Sequence, residues 1–83
     1  MTRIANLLER ARGRKPIKYR ELVKLLEAAG FVQQPQRGTS HTIYKHPDLL
    51  GHMNVQRDSA EAKPYQVKQF LVMIDEAGIK PTD

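Results

Sequence analysis

The residues with the greatest chemical capacity sit in one short stretch, Gly38-Thr39-Ser40-His41. The first three read as the end of a turn that starts near Gln36 and Arg37. The histidine opens a run rich in β-formers, Ser40 to His46. A side chain at the head of a strand is accessible, and an imidazole takes and returns a proton near neutral pH. Such a group suits a substrate that carries its own nucleophile. RNA is one, because its ribose 2′-OH can attack the adjoining phosphorus. His41 would take the 2′-OH proton as base or protonate the leaving 5′-oxygen as acid. Thr39, Ser40 and the backbone amides of the Gly38 turn would hold the phosphate, and Arg37 or Lys45 would stabilise the charge growing on it. This chemistry needs no metal and no cofactor. By residue type alone, His41 stays open between this role and that of an ordinary strand histidine.

The competing chemistries are thin. His41, His46 and His52 lack the i, i+4 helical pairing of a metal site, and the chain has no cysteine to join them. His46, before Pro47, reads as a turn-capping residue. Asp75-Glu76 falls on a surface-facing helical turn, so no carboxylate pair stands out. There is no phosphate-cradling glycine loop and no Gly-x-Ser-x-Gly elbow.

The elements that would position His41 follow from length and pattern. The chain has 83 residues, room for one domain with a thin core. With 40% apolar and 28% charged residues it reads as globular rather than disordered. The longest strongly apolar stretch, Phe70 to Ile74, is too short to span a bilayer. Glu9, Arg10 and Arg12 interrupt any apolar signal region after Met1. A cytoplasmic location is expected. Residues 1–24 carry eight lysines and arginines against Glu9 and Glu21, whereas the remainder holds six cations and seven carboxylates. The positive field therefore sits at the N-terminal end, as a polyanion or an acidic protein would require; a solvated face is the plainer reading.

Ile4, Leu7, Leu8 and Ala11 recur at helical spacing after Thr2, a candidate N-cap, and Gly13 and Pro16 end that helix. Leu22, Leu25, Leu26 and Ala29 predict a second helix over about Tyr19 to Ala29, stopped by Gly30 with Phe31 as the following hydrophobic contact. Phe31 to Gln34, Ser40 to His46 and His52 to Gln56 predict three sequential strands, an antiparallel meander. Alternation puts His41, Ile43 and Lys45 on one face and Thr42, Tyr44 and His46 on the other; neither is purely apolar, so the core face is left open. Asp58 to Lys63 reads as polar linker. Pro64 opens a last helix with Val67, Phe70, Leu71, Ile74 and Ala77 as its buried stripe and Gly78 as its stop. The segments Leu26-Glu27-Ala28-Ala29-Gly30-Phe31 and Ile74-Asp75-Glu76-Ala77-Gly78-Ile79 use one helix-stop chemistry twice. The expected fold class is α+β, a three-stranded antiparallel sheet packed against helices, with an extra N-terminal helix.

Several segments together resemble the HicA (YcfA-like) toxins of toxin–antitoxin pairs: Tyr19 through Phe31, Gly38-Thr39-Ser40-His41, Tyr44-Lys45-His46-Pro47, and Lys63 through Leu71. The Gly-Ser-His-like turn followed five residues later by His-Pro is the specific part. The resemblance covers about residues 18–80. It implies a fold like a double-stranded RNA-binding domain, ribosome-independent cleavage of mRNA, and a HicB-type antitoxin that covers the active site. The family's catalytic histidine follows its Gly-Ser turn, and His41 holds that place, with one extra residue in the turn. Val55-Gln56-Arg57-Asp58 replaces a proline- and histidine-containing segment of shorter members, so no second histidine is offered there.

One domain over residues 1–83 is expected, with 1–16 as a basic helical extension and 17–80 as the family core. The toxin alone is expected to be monomeric. A non-catalytic RNA-binding module on the same fold is the alternative, with His41 as a phosphate contact. A DNA-binding role is disfavoured because the helix pair lacks the short turn of a helix-turn-helix.

Overall fold

The computed structural model describes residues 3–35, 41–56 and 60–82. The elements run α1 (Ile4–Arg12), α2 (Tyr19–Ala28), β1 (Val32–Gln33), β2 (His41–Lys45), β3 (His52–Gln56) and α3 (Pro64–Ala77). The strands form one antiparallel sheet in the order β1-β2-β3. The α+β class and the meander are therefore both found. Two strands are shorter than expected: β1 keeps only Val32 and Gln33, and β2 ends at Lys45, leaving His46 to the following turn.

The sheet buries Thr42 and Tyr44 of β2 and Met53 and Val55 of β3. Phe70, Ile74, Leu22, Leu25 and Leu26 of the helices join them in one core. Burial pushes the Tyr44 phenol up to about 12, with Tyr19 and Glu27 adding to the shift. The α1 helix belongs to the same core through Ile4, Leu7 and Ala11. The expected cap Thr2 lies outside the described residues; Arg3 holds the N-cap position and makes no side-chain cap bond. Two ion pairs fix how α1 sits. Arg10 reaches Glu21 of α2 at 3.3 Å and also donates to the Pro16 carbonyl at 2.9 Å. Arg12 grips Asp75 of α3 through two bonds, 2.7 and 3.0 Å. Hydrogen bonding from Arg12 holds the Asp75 carboxyl below its usual range. Exposed pairs of this kind add little stability, so they orient α1 while its apolar stripe holds it.

In the last third two expectations are corrected, for the linker and for Ala77, and one buried residue, Gln66, was not anticipated. The stretch expected as polar linker is tied down where it is described. Glu61 pairs as a β-bridge with Lys18, Tyr19 N–H donates to the Ala60 carbonyl at 3.0 Å, and Ala62 N–H donates to the Ile17 carbonyl at 2.9 Å. Gln66 is buried in α3 because its Nε2 donates to the Asn54 carbonyl of β3 at 2.9 Å, which stitches the helix to the sheet. Ala77 is exposed, beside a small cleft against the 49–51 turn that nothing closes.

The two helix stops are alike, as expected. Gly30 and Gly78 hold φ of 95° and 69°. The next residue donates back into its helix each time, Phe31 to Leu26 at 3.0 Å and Ile79 to Ile74 at 2.8 Å. They differ in surroundings. A Cβ on Gly30 would lie 3.0 Å from His46 Nε2, whereas one on Gly78 would meet nothing within 4 Å. His46 cannot move aside easily, because its Nδ1 accepts the Asp48 N–H at 3.1 Å and its ring packs edge-on to Phe31.

Gly30→Ala should therefore destabilise by about 2–3 kcal/mol and Gly78→Ala by only about 1 kcal/mol, read by urea unfolding. Equal losses would show that His46 does not constrain Gly30. Leu7→Ala, at a fully buried position of α1, should cost about 3 kcal/mol. A loss near zero would show α1 to be an appendage.

Candidate active site

Strand periodicity assigns the three histidines. With Thr42 and Tyr44 turned into the core, His41, Ile43 and Lys45 face the other side of the sheet, where His41 and Ile43 are half-buried and Lys45 is exposed. Cross-strand pairing completes that face. His41 stands opposite Gln56, Ile43 opposite Asn54, and Lys45 opposite both His52 and Val32. His41 is thus the first residue of β2 on a mostly polar, open surface. It is half-buried, with its Nδ1 shielded from solvent.

His46 lies past the end of the same strand and does different work. It is 9% exposed, its Nδ1 accepts the backbone N–H of Asp48, and its carbonyl accepts that of Leu49 at 3.1 Å. The turn-capping role expected for it is the one found. His52 is exposed beside Lys45.

The turn expected to hold phosphate, Arg37, Gly38, Thr39 and Ser40, lies outside the described residues. Lys45 is exposed and shares His41's face, but four residues of strand rise put it about 13 Å along β2. That separation is too long for His41 and Lys45 to act on one atom. Gln56 and Asn54 are the described neighbours of His41 that residue-by-residue reading did not single out. Only the strand register brings them there. Among the described residues, no three His, Asp or Glu side chains gather as a metal site would need. No described helix is long and apolar enough to cross a membrane.

The basic N-terminal field divides in two. Arg10 and Arg12 are engaged in ion pairs that orient α1. Arg14 and Lys15, in the α1–α2 linker, line a cleft against α3 with Lys68.

No curated protein and no solved structure matches the chain. The family model described as the HicA toxin of bacterial toxin-antitoxin matches residues 19–79, from the first residue of α2 to the residue after the Gly78 stop. That span holds the whole sheet, both helices that cover it and His41, and leaves out α1, its linker and residues 80–83. The chain thus belongs to the HicA toxin family, the toxins of toxin–antitoxin systems, which are generally ribonucleases.

Proposed function

We propose that this chain is an endoribonuclease toxin that cleaves mRNA by 2′-OH attack, assisted by His41 without a metal. What supports the reading most is the division of labour along β2: His46 is consumed by the fold, while His41 heads the open sheet face beside Gln56. The order α2-β1-β2-β3-α3 also supports a fold like a double-stranded RNA-binding domain.

In the proposed reaction the 2′-oxygen attacks phosphorus as the bond to the 5′-oxygen breaks. A 2′,3′-cyclic phosphate and a free 5′-hydroxyl result. The 2′-OH loses a proton and the 5′-oxygen gains one; His41 handles one of these transfers and water the other. The Arg37–Ser40 turn, by its place before His41 in sequence, would cradle the reacting phosphate. Lys45 would hold the strand farther along. Neutralisation would come from a HicB-type antitoxin occluding this face, acidic where it meets Lys45 and the basic N-terminal segment.

The test is incubation of RNA in EDTA with wild-type protein and with His41→Ala. Wild type should cleave, and the variant should be slower by about 10²-fold or more. Cleavage that persists in the variant would remove His41 from the mechanism. RNA binding with cleavage by neither protein would favour the non-catalytic RNA-binding module.

A further inference from the structure

A cleft of about 640 Å³ lies away from the open sheet face, between the α1–α2 linker and the first turns of α3. Its floor is apolar, formed by Ala11, Ile17, Val67 and Leu71, and its rim is cationic. Arg14 and Lys15 stand on one side and Lys68 on the other. None of these three makes an ion pair among the described residues. The acidic groups at the cleft do not cancel them. Asp75 is taken by Arg12, which leaves Glu61 against three cations.

Arg14 sits at φ 59°, a left-handed conformation that an L side chain with a Cβ rarely adopts. The backbone enforces it, since Arg14 N–H donates to the Ala11 carbonyl and Lys15 N–H to that of Arg10. Glycine or asparagine would be cheaper there. Backbone strain of this sort collects at sites that use it, and here it presents two adjacent cations to the cleft. Tyr65, 64% exposed, stands at the mouth. Its hydroxyl oxygen accepts from Gln66 Nε2 at 3.4 Å, and the same Nε2 donates to the Asn54 carbonyl.

We infer that this cleft is a second site for single-stranded RNA, where a base stacks on Tyr65 and the flanking phosphates meet Arg14, Lys15 and Lys68. The inference rests on the ribonuclease reading. An aromatic ring amid cations is how single strands are held without sequence preference. The path from His41 is short. Gln56 is its cross-strand partner, and Glu61 at the cleft is five residues on, at most about 18 Å of chain. A few nucleotides of extended RNA are long enough to cover that reach. The linker half of the cleft lies before residue 19, outside the family match.

The test measures binding on a His41→Ala background, with labelled single-stranded RNAs of about 12 and about 4 nucleotides. Tyr65→Ala should weaken the longer RNA about tenfold, and Tyr65→Phe should leave it unchanged. Arg14→Gly relieves the backbone strain, so the fold survives it. It should weaken the longer RNA and lower the log–log salt slope by about 0.7. The shorter RNA should be indifferent to all three changes. Unchanged affinity for the longer RNA would overturn the site. So would unchanged affinity with lost neutralisation by a co-expressed antitoxin when the same changes are made in the active His41 protein, which assigns the cleft to an acidic partner segment instead. If wild type cleaves RNA and the cleft variants match its KM and salt dependence, the cleft inference alone fails. If wild type neither binds nor cleaves, the ribonuclease reading fails and carries the cleft with it.

Discussion

The contact of His46 with Gly30 and Phe31 holds the molecule to one arrangement. It joins the end of α2 to the turn after β2, and Phe31 passes the contact on to Phe70 of α3, 6.0 Å between ring centroids. His46 reaches that place only because residue 30 has no side chain and a positive φ. With His46 and Tyr44 inward, the strand's period of two leaves no choice for the rest of β2. A slip of one residue would bury His41 and Lys45 and push Tyr44 into water. That the candidate catalytic residue faces away from the core therefore depends on a histidine packed into the fold.

A similar economy governs the charges. Arg10 and Arg12 carry the same formal charge as Arg14 and Lys15, close by in sequence, but spend it on Glu21 and Asp75. Their pairing aligns α1, and the alignment opens the cleft on whose rim Arg14 and Lys15 stand. A basic segment that reads in sequence as one field is thus half scaffold and half surface.

Local chemistry was readable in the residues, and long-range chemistry was not. The paired Gly-x stops and the bounds of β3 follow from neighbours within a few positions, and both are found where they were expected. The core face of β2 could not be read, because Thr42, Tyr44 and His46 are no more apolar than His41, Ile43 and Lys45. Tyr44 is decided by helices elsewhere in the chain and His46 by Phe31. Gln66 was missed because its burial is repaid by a carbonyl 12 residues away on β3. Lys18 and Glu61 pair across a distance that no sequence pattern signals. His41 itself was legible by its place in a motif. Its neighbours Gln56 and Asn54 were not, since register decides them.

The central claim is that the substrate's own 2′-OH is the nucleophile and His41 moves one of its protons. The most direct measurement uses an RNA that carries a single 2′-deoxy nucleotide at a mapped cleavage position. Cleavage there should stop, while other positions of the same RNA are still cut and end in 2′,3′-cyclic phosphates. Undiminished cleavage at the deoxy position would contradict it, because water would then have to be the attacking group.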